Sequence, residues 1–494
     1  MKREGKGMKV NALKVPVQFV IGYLVLTNYC FAQIEKPMTG DSNDFVKIAA
    51  SQGSSSPLLF TVPETGVPLV GMGSFYREDE CTTRDGIPNF LDKAGKGGQV
   101  TVAFIGGSIT QGKLGYRMQV ARYMQHLFPE TEFLWVNAGV SGTGTDLGAF
   151  RIKEHVLRHQ PDLVFIEFAV NGAYQAGMEG MIMQIIENNP YTDICLIYTI
   201  KNGQTASYQQ FKIPDNILGL ERIAQHYAVP SIHLGMEAAE LEAQGKLIWK
   251  GDPRQKADGL LFSKDGIHPL EAGGNLYAAA IARGLRKLSA NTSPCPHHLV
   301  DPLFGDEWDY ANMYAPWQIA SFDRNWNVRP IQQSHLTKFE GWFDSLMTAD
   351  KPGATCTFYF EGDMFGVFDI GGPEVGQLTI WVDNQLVALE TVDDRNYRLY
   401  RVADNSGDTT LNRFNGFCNN RYRGQYDVIQ LPFGRHEVTL KVSFEKADKH
   451  AILGPKRLDD IMANPAKYDR SAIYLGKILL RGIPVTITED AQPE

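Results

Sequence analysis

The stretch FIGGSITQG, Phe104–Gly112, changes character within three residues. Apolar, β-favouring Val100, Val102, Phe104 and Ile105 lead into Gly106-Gly107 and stop at Ser108. A buried strand that ends in two glycines turns sharply, because glycine tolerates backbone angles that other residues resist. A serine just beyond such a turn stands at a strand's carboxyl end, where open α/β sheets keep their active sites. Taken alone, the stretch reads equally as a tight loop with a capping serine before a helix. The surrounding sequence has to separate the two readings.

Outward from this point, residues 99 to about 290 alternate. Strand-like runs VTVAFIG, EFLWVN, DLVFIEFAV, DICLIYTI and VPSIHL are separated by helix-like segments, among them Tyr116–Leu127, Leu147–His159, Glu179–Asn188 and Ala272–Leu288. In YRMQVARYMQHLF, Tyr116, Val120, Tyr123, Met124 and Leu127 share one helical face. Apolar strands alternating with amphipathic helices predict a parallel sheet covered on both sides, an α/β/α sandwich. From about Asp301 the texture becomes short alternating runs rich in aromatic and β-branched residues, such as ATCTFYFEG, MFGVFDIGG, GQLTIWVDNQ and HEVTLKVSF, broken by Gly, Asp and Asn turns. That pattern predicts an all-β, jelly-roll-like sandwich.

The amino terminus is different again. Lys2, Arg3, Lys6, Lys9 and Lys14 precede the apolar run Val15–Leu26, with Ala32 shortly after, which reads as a secretory signal peptide cleaved after Ala32. The run is too short to span a membrane comfortably, and no later segment approaches 18 uninterrupted apolar residues. Thr27 and Tyr29 are poor residues before a lipidated Cys30. The predicted organisation is therefore a signal peptide over 1–32, a Gly/Ser/Pro-rich lead over 33–95 that packs on the next domain, an α/β domain over 96–292 and a β-sandwich over 293–494. The mature chain is expected in the periplasm or outside the cell.

Cleavage takes five basic side chains and Glu4, moving the formal net charge from −8 to −12. An acidic chain without a basic run is a poor partner for nucleic acid or anionic membrane. The five remaining cysteines, Cys81, Cys195, Cys295, Cys356 and Cys418, show no metal-ligand spacing, and Cys195 in ICLIYT reads as an inert buried thiol. His297-His298 has no further spaced ligands, and GVSGTG lacks both the Lys-Ser/Thr of a phosphate loop and a dinucleotide fingerprint, so no metal or cofactor is expected.

Four pieces of the α/β region lie after successive strands and share one sheet edge. Ser108 ends the first strand, Gly142 sits in the glycine-rich NAGVSGTGT, Asn171 ends EFAVNG, and DGIHP puts Asp265 three residues before His268. Singly, Gly142 and Asn171-Gly172 read as turns, Asp265 as a cap and His268 as a packed surface histidine. Together they supply what ester cleavage needs. A serine hydroxyl attacks only when a base takes its proton; His268 is that base, with Asp265 fixing its tautomer. The N–H groups of Ser108 and Gly142 and the amide of Asn171 would hold the oxyanion. Arg151 and Glu167 are expected to pair and support the Asn171 loop.

In these blocks, over about residues 99–290, the sequence resembles the SGNH or GDSL-type hydrolases. GGSIT stands for their Gly-Asp-Ser form and is similar to the variant of secreted bacterial carbohydrate esterases, while Gly172 stands where many members have Asp. The resemblance implies a serine esterase acting on O-acetyl groups of a polysaccharide or oligosaccharide, with a β-sandwich whose Trp308, Trp317, Trp326, Trp342 and Trp381 either stack on sugar or pack internally. A same-fold acyltransferase and a glycan-binding protein with a decayed site stay open as alternatives, as does the oligomeric state.

Overall fold

The computed structural model describes residues 56–485 apart from 114, 256–257, 395–396 and 404–406, so the export segment expected over 1–32 lies outside the described residues. Seven strands form the first sheet: β1 (Leu59–Phe60), β2 (Cys81–Thr82), β3 (Gly98–Gly106), β4 (Thr131–Gly139), β5 (Leu163–Glu167), β6 (Asp193–Tyr198) and β7 (Ser231–His233). Their order is β1-β4-β3-β5-β6-β7-β2. The five inner strands are parallel, as the apolar runs predict. Val100 and Val102 to Ile105 on β3 are fully buried, which is why that strand carries no polar alternation. The chain leaves β3 for β4 on one side and returns to β5 on the other. The order thus reverses between β3 and β5, the place where a parallel sheet opens a crevice at its carboxyl edge.

The amino-terminal lead does more than cover the domain. It supplies β1 and β2, which pair antiparallel with β4 and β7, and the helix Pro88–Gly95. Both edges of the parallel sheet are thereby capped, and two-residue strands are too short for any alternation to register.

The second half is a 12-stranded, largely antiparallel sheet dominated by three long strands, Thr355–Gly371, Arg423–Val442 and Ile473–Pro484. ATCTFYFEG and MFGVFDIGG are one strand, bent by a register shift between Gly362 and Met364. An extra residue in one strand bends it and tightens its twist, so a single strand reads in sequence as two runs. The curled sheet encloses its own core around Phe358, Phe360, Phe365, Ile429 and Ile478. The core of the α/β half continues into it through Trp308, Met313 and Leu479, so the two halves share apolar packing. Among the described residues, no helix is long and apolar enough to cross a membrane.

Candidate active site

Beyond β3 the chain turns through Gly106-Gly107 into the short helix Ser108–Gln111. On the opposite wall, the strand Leu260–Ser263 runs into a turn in which the Asp265 side chain folds back on its own backbone. Its Oδ1 accepts the N–H groups of Ile267 and His268, both at 2.9 Å. Trp249 Nε1 and the Asn202 N–H donate to the carbonyl of Gly266 at 3.0 and 2.7 Å, so the turn is anchored from outside.

These two walls bring three side chains into line. Asp265 Oδ2 lies 2.6 Å from His268 Nδ1, and His268 Nε2 lies 2.6 Å from Ser108 Oγ. The Asp265 side chain is 6 % exposed and that of His268 25 %. Burial pushes the Asp265 carboxyl up, but the bonds from the His268 ring and from the backbone outweigh it and leave it below its ordinary value. An ionised carboxylate only accepts, so His268 Nδ1 carries the proton and Nε2 is left as the acceptor for the Ser108 hydroxyl.

Asn171 comes to the same place from β5. An added Cβ on Gly107 would collide with Asn171 Nδ2 and lie 3.0 Å from its Cγ, so this amide occupies the space a side chain at 107 would fill. Gly142 adopts φ +71° in an exposed turn between buried Ser141 and Thr143. That turn is fastened to the serine helix by Gln111, whose Oε1 accepts the Ser141 N–H at 3.1 Å. Gly172 has φ +59°, and its loop is held from two sides. Asn216 Nδ2 donates to the Ala169 carbonyl, and the Thr145 N–H approaches the Gly172 carbonyl at 3.4 Å.

The expected Arg151–Glu167 pair does not form. Arg151 is fully buried and donates to the carbonyls of Ala138 and Gly106, the ends of β4 and β3. Glu167 instead accepts from Thr199 and from Thr110, at 2.9 Å for the latter. A guanidinium satisfies strand-end carbonyls as well as it does a carboxylate, and sequence does not distinguish the two. Gln111, Thr110 and Asn216 escape sequence reading for a related reason: their work is to bond a distant backbone or side-chain atom, which leaves no local pattern.

Glu167 carries a testable consequence. Burial pushes its carboxyl up to about 7, against the bonds from Thr199 and Thr110. Its folded-state value thus lies above that of the unfolded chain, about 4.3. The associated stabilisation is complete at lower pH and is lost as pH rises through about 7. Glu167→Gln should therefore flatten the fall of Tm between pH 5 and 8, measured by differential scanning calorimetry; slopes equal to wild type would refute this.

The other singled-out residues divide between buried and exposed positions. Trp308, Trp326 and Trp342 are buried, Trp381 is partly so, and Trp317 is 42 % exposed. His297 is buried and meets Asp193 at 2.9 Å, whereas His298 is exposed. Cys195 is fully buried and its thiol is pushed up by burial. The five described cysteines are all free.

No curated protein matches the chain in sequence. Among solved structures, the chain is similar to a two-domain esterase active on acetylated mannans, at 21% identity over 81% of this chain and 97% of that one, with TM-score 0.56. The same kind of two-domain esterase co-crystallised with mannopentaose matches at 21% identity over 79% and 92%, with TM-score 0.54. An acetylxylan esterase, Axe2 from Geobacillus stearothermophilus, matches at 20% identity over 39% of this chain and 96% of that one, with TM-score 0.31. At these identities the two-domain likeness speaks for the fold, an α/β domain followed by a large antiparallel one. Residues 104–276, which contain Ser108, Gly142, Asn171, Asp265 and His268, match the model of the GDSL-like Lipase/Acylhydrolase family.

Proposed function

We propose that the protein is a serine esterase that removes O-acetyl groups from a polysaccharide or oligosaccharide. The observation that carries this reading is the line Asp265–His268–Ser108, with both contacts at 2.6 Å, beside the Asn171 amide. Ser108 Oγ attacks the acetyl carbonyl as His268 Nε2 takes its proton. The charge that develops on the carbonyl oxygen meets the N–H groups of Ser108 and Gly142 and the amide of Asn171. The intermediate collapses when His268 returns the proton to the sugar oxygen, which leaves as an alcohol. Water, deprotonated by the same imidazole, then attacks the acetyl-serine, and acetate departs as Ser108 regains its proton.

Two considerations point to acetylated glycans. A protein of the same two-domain fold acts on acetylated mannans, and the GGSIT block is similar to that of secreted carbohydrate esterases. The signal-like segment 1–32 supports export, which would put the enzyme where such polymers are met. Acetate release from acetylated mannan, xylan and pectin, with the deacetylated polymers as blanks, tests the reading. Wild type should liberate acetate from at least one of them and Ser108→Ala from none; equal release by the two proteins would end it.

A further inference from the structure

We infer that Tyr426, on the second domain, is a positioning residue for ester cleavage: through Asp146 it fixes the two turns that carry Gly142 and Asn171. The inference rests on the esterase reading above. Tyr426 Oη donates to Asp146 Oδ2 at 2.7 Å, across 280 residues of sequence. Asp146 is 3 % exposed and lies in the first turn of the helix Thr145–His155, directly after the Gly142–Gly144 turn. The space where Gly144 lacks a side chain shows what meets there. An added Cβ would lie 2.8 Å from Asp146 Oδ1, 3.0 Å from the Gly172 carbonyl and 3.3 Å from the Asn171 carbonyl. The Asp146 carboxylate and the carbonyls of Asn171 and Gly172 therefore border one space, the one beside Gly144. Thr145 joins them, its hydroxyl bonding the carbonyl of Tyr174 at 2.5 Å.

The second domain grips this helix at both ends. At its far end Lys477 Nζ reaches both oxygens of Glu154 at 2.7 Å. Between the two grips Arg151 ties the helix to the carbonyl of Gly106, two residues before Ser108, at 3.0 Å. Tyr426 is itself held on a stiff strand. Its neighbour Gln425 donates to the Arg413 carbonyl at 2.9 Å, and its other neighbour Asp427 pairs with the buried Arg413 guanidinium. The Tyr426 hydroxyl thus transmits the placement of the second domain to the oxyanion donors. Burial pushes Asp146 up to about 6, and the Tyr426 bond is one of the contacts that hold it down, so losing the hydroxyl also weakens the charge that orders the turn.

Donors displaced by a fraction of an ångström lose transition-state stabilisation while a small ester still binds. In the full-length chain, Tyr426→Phe should lower kcat on 4-nitrophenyl acetate by about tenfold with KM within about twofold. Inhibition by phenylboronic acid, which forms a tetrahedral adduct on a serine oxygen, should weaken by the same factor, and Asp146→Asn should reproduce both changes. Lys477→Met, which loosens the same interface away from the turns, should stay within about twofold of wild type. Wild-type kcat in Tyr426→Phe and Asp146→Asn, or an equal loss in Lys477→Met, would overturn the inference and leave the esterase reading intact. Turnover that survives Ser108→Ala would overturn both.

Discussion

Ser108→Ala should lower kcat on 4-nitrophenyl acetate by about 10⁴–10⁶-fold, His268→Ala should do nearly the same, and the double variant should be no worse than the poorer single one. The geometry requires this pattern. Ser108 Oγ and His268 Nε2 are 2.6 Å apart, so each acts through the other. Without the imidazole the hydroxyl keeps its proton; without the hydroxyl the imidazole has nothing to activate. The losses therefore overlap instead of multiplying. What activity remains should come from the proposed oxyanion donors, which neither substitution touches. Both side chains are partly exposed, so the variants should keep the wild-type circular dichroism spectrum and Tm within a few degrees. A double variant whose loss is the product of the two single losses would show that the residues act separately and would remove the triad.

The parts of this site that are legible in sequence are those fixed by local chain geometry. Ser108, Gly142, Asn171 and the Asp265–His268 pair each follow a strand or precede a helix, and parallel strands deliver their ends to one edge whatever the rest of the protein does. The α/β pattern is legible for the same reason, since neighbouring strand residues such as Ala103 and Phe104, which point to opposite faces, are both apolar and buried. What escapes reading is long-range and polar. The choice of Arg151 for strand-end carbonyls over Glu167, the reach of Tyr426 to Asp146 and the hold of Asn216 on the Asn171 loop are decided by which surfaces meet in three dimensions. The edge strands are missed because two residues carry no period, and the bent strand Thr355–Gly371 because its bulge breaks the alternation in mid-course. Trp326 and Trp342 read in sequence either as sugar platforms or as packing, because a large flat side chain serves both purposes, and the fold buries them.

Gly107→Ala, a change of one methyl group, should cost about 10²–10³ in kcat, as much as Asn171→Ala. Gly107 has φ −89°, outside the left-handed region, so the reason for glycine here is space and not backbone freedom. An alanine Cβ would collide with Asn171 Nδ2 and sit 3.0 Å from Cγ, and the nearest atoms it meets belong to a side chain, not to the backbone. The cheap relief is for the amide to swing away, which keeps the fold and removes one oxyanion donor. KM for a small ester should then be nearly unchanged, because that donor matters most once charge has developed on the carbonyl oxygen. The discriminating measurement is Gly107→Ala made in the Asn171→Ala background. With no amide left to displace, the methyl group should cost less than about threefold there, against about 10²–10³ in the parent. A second loss of full size would mean that the methyl group acts independently of Asn171, by disturbing Ser108 directly.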